Sequence, residues 1–240
     1  MQNDLTANLD RALKNIKPNA ILKRQADVES AVALSNSLDL PIHLDTPKNW
    51  DSLAAFAILP QYLSDKTNKT TIMDAGGEDY SVILPQLRKA GYSNFTCVNL
   101  VYDSPFVKNG IKYQHGDVTK TDFPDDYFDA ITCLSVIEHG VDINLYFKEM
   151  SRILKPGGIL FTSFDYWHTK IDTRGCFAYG VPVEIFDLHT AVSMVKVASE
   201  FHLETIGPID LTCDEKVVFW KEQNLAYTFA YFTMRKIIAG

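Results

Sequence analysis

The chain lacks the sequence features of membrane, secreted and metal-binding proteins. No apolar run approaches the ~20 residues that span a membrane, and the polar residues 1–14 contain no apolar core of a signal peptide. The four cysteines are far apart and form no CxxC pair, which favours buried thiols in a reducing compartment. No HExxH motif is present, so no metal site is predicted. We therefore expect a soluble, cytoplasmic protein.

Clusters of positive charge are also missing. The chain has 23 Lys and Arg against 30 Asp and Glu, which gives a net charge of -7. A protein that binds a nucleic-acid backbone needs clustered cations to neutralise the phosphates. The composition therefore predicts no nucleic-acid partner, and the lack of a long apolar run predicts no membrane partner.

From residue 70 onward, the chain alternates between strand and helix patterns. Strands separated by helices form a mostly parallel sheet that is covered on both faces. We therefore predict an α/β fold: a Rossmann-like, doubly wound, seven-stranded sheet whose aromatic final strand is antiparallel. The predicted strands are 70–74, 95–100, 111–114, 128–135, 159–164, 203–206 and 226–235, and the predicted helices are 80–90, 141–154 and 187–201.

Two further segments complete the predicted organisation. Residues 1–65 have a helical, partly amphipathic pattern and are predicted to form an N-terminal cap on a domain of residues 66–240. His43, Trp50 and Asp51 are candidates to close over a ligand from this cap, although Trp50 could instead pack within it. The segment of about residues 167–186 contains two glycines and a proline, and its length suits a lid.

The most informative stretch follows the first predicted strand of the domain and reads Asp74-Ala75-Gly76-Gly77. Glycine lets the backbone turn sharply and approach a ligand closely. An acid here would repel a phosphate at a helix N-terminus, but it suits a cationic group such as the amino group or sulfonium of S-adenosylmethionine. The dinucleotide fingerprint G-x-G-x-x-G is absent. Asp74 could alternatively cap the helix that follows.

Polar residues also follow the next three strands. In open α/β sheets, ligands bind beyond the carboxyl ends of the strands, where the strand order reverses. Asn99 stands where nucleotide-binding folds place a group for ribose hydroxyls, and Asp117 could accept a bond from an adenine amine. Asp117 could also be an ordinary Gly-Asp turn residue, although the cofactor contact is slightly favoured. The fourth strand ends at Ser135, shortly before His139.

Taken in order, these residues resemble the class I S-adenosylmethionine-dependent methyltransferases. The resemblance is to the small-molecule methyltransferases that carry runs such as FDAITCLSVIEH and LKPGG, and it covers about residues 70–165. It implies methyl transfer from S-adenosyl-L-methionine to an oxygen or nitrogen of a small molecule, such as a secondary metabolite or a sugar. It also implies cofactor contacts: Asp74, Ala75, Gly76 and Gly77 at the methionine end, Asn99 at the ribose, Asp117 and Val118 at the adenine, and Ser135 at the pocket floor.

The chain departs from this family in two places. The first loop of the family usually reads D-x-G-x-G-x-G, so Glu78 and Tyr80 stand where glycine is usual. Asn99 replaces the usual ribose-binding acid, and it can still bond hydroxyls but carries no charge. These departures leave open an alternative, in which the chain is a non-catalytic binding or scaffold protein with a degenerate cofactor loop.

Candidate catalytic and substrate residues follow the fourth and fifth strands. His139 is a candidate general base, because neutral imidazole accepts a proton near pH 7, and a purely local hydrogen-bonding role is about equally expected. His168 is the second candidate base. Tyr166 and Trp167 precede it where substrate-facing groups gather, and Arg174 could pair with an acidic substrate group, although an exposed arginine is the simpler expectation.

Overall fold

The computed structural model describes residues 13–63 and 68–238. Its strands are β1 (Ala20–Ile21), β2 (Thr71–Ala75), β3 (Asn94–Asn99), β4 (Phe106–Lys108), β5 (Ile111–His115), β6 (Phe128–Leu134), β7 (Leu154–Tyr166), β8 (Phe177–Ala178), β9 (Val181–Pro182), β10 (Leu203–Thr205), β11 (Val218–Trp220) and β12 (Leu225–Lys236). Its helices are α1 (Gln25–Ser37), α2 (Lys48–Tyr62), α3 (Ile83–Lys89), α4 (Ile143–Ile153) and α5 (Leu188–Glu200).

Seven strands form the body of one sheet, in the order β5-β3-β2-β6-β7-β12-β10. The first five are parallel to one another, whereas β12 runs antiparallel to β7 and to β10. This confirms the predicted Rossmann-like fold with its antiparallel final strand. The chain moves outward from β2 to β3 and β5, and then returns to β6 on the other side of β2. The strand order therefore reverses between β2 and β6, where such sheets open a crevice for ligands.

The sequence pattern missed five short strands. β4 extends the far edge of the sheet beside β5, and β1 and β11 pair with successive parts of β12. β8 and β9 form a hairpin within the segment that was expected to act as a lid. Its two turn residues, Tyr179 and Gly180, have φ values of 53° and 80°, as two-residue hairpin turns with the favoured twist require. Strands of two or three residues are too short to show alternating apolar and polar residues in the sequence. Only their hydrogen bonding to a neighbouring strand identifies them.

Alternate residues of the central strands face two separate cores. Ile72 packs with α2 and α3 on one face, and its neighbour Met73 packs with α4 and α5 on the other. Two helices begin at the aspartates that cap them: Asp142 accepts a bond from the Leu145 amide at 3.0 Å, and Asp187 accepts one from the Thr190 amide at 2.8 Å. Packing in the two cores and the capping of the two helices hold the strands so that their carboxyl ends meet at one edge of the sheet.

The amino ends of the strands form the opposite edge, which holds a bonded ion pair. Lys155 of the LKPGG run lies 2.8 Å from the Asp129 carboxylate of the FDAI run. The amide and hydroxyl of Thr71 donate to the same oxygen at 2.7 and 2.8 Å. Burial works against ionisation of Asp129, but these donors outweigh it and hold its pKa below the usual value. Parts of the motifs that carry the family resemblance therefore stabilise the fold, away from the crevice.

Candidate cofactor site

A cavity of about 480 Å³ opens at the carboxyl edge of the sheet, above the point where the strand order reverses. The loops after β2, β3, β5 and β6 form its floor, and residues around the start of α2 form its roof. The structure brings together seven of the predicted site residues in its lining: Gly76, Gly77, Asn99, Asp117, Val118, Ser135 and His139. Among the described residues, no group of three or more His, Cys, Asp or Glu side chains is placed to hold a metal ion.

The loop after β2 accepts only glycine at its two central positions. Gly76 has φ of +82°, and a Cβ atom there would lie 2.5 Å from the Val136 side chain. A Cβ at Gly77 would overlap the Asp74 carboxylate. Packing against Val136 and Asp74 thus leaves room only for bare backbone at these positions, and both glycines line the cavity, so a ligand can approach this glycine cradle closely.

Asp74 supports this cradle from below. Its side chain is buried, with the residue 1% exposed, and accepts bonds from the hydroxyls of Thr132 at 2.8 Å and Ser81 at 3.1 Å. Burial raises its pKa to about 6. Ala75 is fully buried next to it. Neither residue lines the cavity, and the helix after the loop has Val82 rather than Asp74 as its N-cap.

Asn99 ties the glycine loop to β3. Its side-chain amide donates to the carbonyl oxygens of Gly76 at 2.7 Å and Gly77 at 3.2 Å. A carboxylate at this position could not donate and would face two carbonyl oxygens at close range. The departure from the family pattern at Asn99 therefore has a local structural reason.

Asp117 has the turn role that the sequence left open. Its Oδ1 accepts bonds from the amide and the hydroxyl of Thr119, at 2.8 and 2.7 Å. The residue is exposed and also lines the cavity. Both interpretations of Asp117 are therefore compatible, with Oδ1 holding the turn and Oδ2 available to a ligand.

Ser135 links the end of β6 to α2. It has a positive φ of 52°, and its amide donates to the Ser163 carbonyl at 3.1 Å. The hydroxyl of Ser163 donates in turn to Oδ2 of Asp51 at 2.5 Å. A short chain of hydrogen bonds thus connects the floor of the cavity to its roof.

The cap contributes His43, Lys48 and Asp51 to the cavity lining. Asp51 is buried, and burial raises its pKa. Trp50, by contrast, packs against Tyr231 with ring centroids 4.8 Å apart, so it has the packing role considered for it. Sequence reasoning missed Lys48, although its i, i+3 spacing to Asp51 places both on one helical face.

Two further buried acids, Glu138 and Asp165, were also missed as functional candidates. They lie after β6 and near the end of β7, and they are 1% and 4% exposed. The Glu138 and Asp165 carboxyl groups lie within hydrogen-bonding reach of each other. Burial and mutual repulsion raise the pKa of Glu138, and burial raises that of Asp165 to about 6. The only sequence signal was an acid just beyond each apolar strand.

His139 lines the cavity as a neutral side chain. Burial, followed by the charge of Lys48, lowers its pKa to about 4. Its ring contacts Tyr179 of the hairpin edge-to-face at 5.5 Å, and its Nδ1 has no hydrogen-bond partner within the described residues. A group with this pKa is a weak base at neutral pH.

Four other predicted site residues lie away from the cavity. His168 contacts the Trp167 ring and lines a separate groove, and Trp167 packs under Lys216. The Tyr166 hydroxyl donates to the Leu211 carbonyl at 3.0 Å. The Arg174 side chain is 91% exposed and forms an ion pair with Asp172 at 2.6 Å. None of the four residues therefore lines the cavity.

The two residues that replace family glycines stand at the cavity rim. The Tyr80 hydroxyl donates to Glu78 at 2.9 Å, and both residues line the cavity. Tyr179 and Val181 of the β8–β9 hairpin also line it. Glu78 and Tyr80 therefore leave the sharp turn at Gly76 and Gly77 intact.

Comparison with known proteins agrees with this geometry. Residues 82–162 match a methyltransferase domain family. The tRNA U34 carboxymethyltransferase of Campylobacter curvus is 31% identical over 144 residues, which is 57% of this chain and 46% of that protein. The chain spans less than half the length of the curated relatives it matches.

Solved structures show the same fold. An S-adenosylmethionine-dependent methyltransferase from Mesorhizobium loti aligns with a TM-score of 0.54 and 16% identity, over 78% of this chain and 97% of that one. Phosphoethanolamine N-methyltransferase 2 of Haemonchus contortus, in complex with S-adenosyl-L-methionine, aligns with 0.53 and 15% identity, over 77% of this chain and 52% of that one. Residues 82–162 therefore match a methyltransferase domain family, and the chain shares the fold of these solved methyltransferase structures.

Proposed function

We propose that this chain transfers a methyl group from S-adenosyl-L-methionine to an oxygen or nitrogen of a small molecule. The observation that carries the proposal is the glycine cradle, which has room only for backbone and lies at the strand-order reversal beside Asn99, Asp117 and Ser135. When bound, the cofactor supplies a methyl group made electrophilic by its positive sulfur.

The residues around the cradle suit such a cofactor. The Gly76–Gly77 backbone faces its methionine end, and the buried acid Asp51, which also lines the cavity, suits the ammonium group. Asp117 keeps Oδ2 for the adenine amine, while the Val118 backbone stands beside it. The amide donors of Asn99 are bonded to the loop, and its Oδ1, which already accepts a bond from the Val101 amide at 3.2 Å, has a second lone pair for a ribose hydroxyl.

The charges favour a small molecule over a nucleic acid. Four acids line the cavity, namely Asp45, Asp51, Glu78 and Asp117, against Lys48 as its one lysine or arginine. A polyanionic acceptor would be repelled by this lining. One curated relative modifies tRNA, so RNA belongs among the acceptors that are tested.

The protein's contribution to the reaction is mainly positional. Holding an acceptor in line with the methyl group and excluding water is worth ~7–11 kcal/mol in favourable cases. His139 is the one predicted base in the cavity, but its low pKa makes it suited to accepting a hydrogen bond more than to storing a proton. His168 would need a conformational change to take part.

The proposal is tested by incubating the protein with S-adenosylmethionine carrying a labelled methyl group, together with a fractionated metabolite extract or with total tRNA. We expect label in a small-molecule fraction and formation of S-adenosylhomocysteine. Label confined to tRNA would refute the small-molecule assignment. Cofactor binding without transfer to any fraction would instead favour the non-catalytic binding protein.

A further inference from the structure

The charged residues that line the cavity are not spread evenly around it. Its carboxylates and its lysine all stand on the cap or on the loops after β2 and β5. The loop after β6 and the β8–β9 hairpin form the remaining side, which we call the uncharged wall. The wall consists of Leu134, Ser135, Val136, His139, Val141, Tyr179 and Val181. His139 is neutral here, because burial and then the charge of Lys48 lower its pKa to about 4.

The uncharged wall begins directly beside the glycine cradle. The Val136 side chain lies so close to Gly76 that a Cβ atom on the glycine would be 2.5 Å from it. β6 is on the other side of β2 from β3 and β5, which carry Asn99 and Asp117 at their ends. The wall therefore borders the proposed methionine end of the cofactor, on the side away from the residues proposed for ribose and adenine. An acceptor must lie next to the methyl group, so this is the space left for it.

The hairpin and the loop after β6 are joined by direct contacts. The Glu184 amide, just after the hairpin, donates to the Glu138 carbonyl at 2.8 Å. The Tyr179 ring meets the His139 ring edge-to-face at 5.5 Å. A Cβ atom on Gly140 would be in ordinary van der Waals contact with the Val181 side chain, at 3.9 Å. The two segments therefore form one continuous surface.

The outer part of this wall exposes apolar surface to solvent. Tyr179 is 73% exposed and Val181 is 37% exposed, and Tyr80, whose hydroxyl lies near that of Tyr179, is 54% exposed. All three line the cavity. Exposed apolar side chains that gather at one cavity are typical of ligand-binding grooves. An apolar ligand would remove this surface from water, which is favourable.

Lys48, the one lysine or arginine of the lining, does not select an anion for this wall. Its charge also acts on three buried acids, Asp51, Glu138 and Asp165, and works against the rise of the pKa of each. The positive charge of Lys48 is therefore shared among carboxyl groups of the protein itself. An anionic acceptor would compete with them for it.

From these observations we infer that the methyl acceptor is an uncharged, apolar small molecule, whose carbon skeleton packs against Val136, Val141, Tyr179 and Val181. The inference rests on the proposed function of the same cavity and narrows its substrate class. A charged acceptor would lose its hydration at this wall without gaining an ion pair there. A sugar would leave most of its hydroxyls facing aliphatic side chains.

The test is a calorimetric titration of the protein loaded with S-adenosylhomocysteine. Three probes share one ring and differ in charge, namely benzyl alcohol, benzylammonium and benzoate, and glucose is an uncharged polar probe. We expect benzyl alcohol to bind about tenfold or more tightly than each of the others, because it buries apolar surface without desolvating a charge or several hydroxyls. A charged probe or glucose that binds equally or more tightly, or benzyl alcohol that does not bind, would overturn the inference.

Two variants of one exposed wall residue locate the binding. Val181→Lys places a cation on the wall and should reverse the preference, so that benzoate binds more tightly than benzyl alcohol. Val181→Ser keeps the wall uncharged and should weaken benzyl alcohol binding about threefold, because less apolar surface is buried. Both variants should keep the affinity for S-adenosylhomocysteine within twofold of wild type.

The matched control is Val107→Lys, at an exposed position of β4 outside the cavity lining. It should leave the affinities for all four probes unchanged. Probe affinities that stay at the wild-type values in both Val181 variants would refute the wall as the acceptor site. A wild-type protein that fails to bind S-adenosylhomocysteine would instead refute the proposed function, so the two failures are distinguishable.

Discussion

The two edges of the same sheet treat buried acids in opposite ways. At the amino edge, Asp129 accepts bonds from Lys155 and Thr71, and its pKa is lowered. At the carboxyl edge, Asp74, Glu138 and Asp165 are buried more deeply than Asp129, and their pKa values are raised. The amino edge thus holds an ionised carboxylate paired with a cation, whereas burial at the carboxyl edge favours the protonated form of its acids.

The difference between the two edges indicates that some residues of the family-like motifs stabilise the fold, whereas others form the cavity. The FDAI and LKPGG runs supply the ion pair of the amino edge, while the residues after β2, β3, β5 and β6 supply the cavity. Departures from the usual hydrogen bonding and pairing of buried polar groups are expected mainly at functional sites. Substitutions at the amino edge should therefore change folding, and those at the carboxyl edge should change binding.

The largest expected effect comes from a matched pair of glycines, one at each edge. Gly76→Ala adds a Cβ that would lie 2.5 Å from the Val136 side chain, at φ of +82°. We expect the affinity for S-adenosylmethionine to fall at least ~100-fold, because the loop must move. Gly157→Ala has the same backbone strain at φ of +80° but meets open space. Gly157→Ala should therefore lower thermal stability and leave cofactor affinity unchanged. Equal losses of affinity in the two variants would contradict the proposed difference between the two edges.

The substitution Asp129→Ala measures how much the amino edge contributes to the stability of the fold. Removing its carboxylate leaves Lys155 and the Thr71 amide without their acceptor. We expect the free energy of unfolding to fall by about 1–3 kcal/mol, as for the loss of hydrogen bonds to a charged group. Urea unfolding supplies this value, and calorimetry should show cofactor affinity within twofold of wild type. A large loss of affinity would show that the two edges are not independent.

The pH dependence of stability should differ in sign between the edges. The pKa of Asp74 is raised to about 6, so the native state binds its proton more tightly than the unfolded chain does, and stability falls as pH rises through this range. The pKa of Asp129 is lowered, so its contribution is lost only as pH falls below about 4. Asp74→Asn should therefore reduce the loss of stability between pH 5 and 8 by about 1–2 kcal/mol. Denaturation curves at several pH values test this, and an unchanged slope would contradict the raised pKa.

Asn99→Asp restores the acid that is usual in the family. It removes two donated bonds and places a carboxylate against the Gly76 carbonyl. We expect cofactor affinity to fall roughly tenfold, since a hydrogen bond contributes about 1 kcal/mol net. Tighter binding in the variant would show that ribose contact outweighs support of the loop.

His139→Ala should have the smallest effect. An imidazole whose pKa is about 4 is uncharged and a weak base at neutral pH. We therefore expect turnover to change less than about threefold. The pH profile of the rate between 6 and 8 should keep its shape. A hundredfold or greater loss of turnover, or the disappearance of a titration from the pH profile of the rate, would identify His139 as the general base.

The sequence predicted the seven-stranded sheet because long apolar strands alternate with helices. It also predicted the cradle, since Gly76 and Gly77 follow a strand directly. It placed Asp74 against the ligand, whereas the turn buries this carboxylate beneath the glycines, because a strand-end position does not reveal which way a side chain points. Lys48 was overlooked because only the packing of α2 on the strand ends brings it to the cavity.

The most direct test of the account is a calorimetric titration of the wild-type protein with S-adenosyl-L-methionine. The account predicts one-to-one binding with a micromolar dissociation constant, lost in Gly76→Ala and kept in Gly157→Ala. No detectable binding at millimolar cofactor in a folded wild-type protein would contradict it.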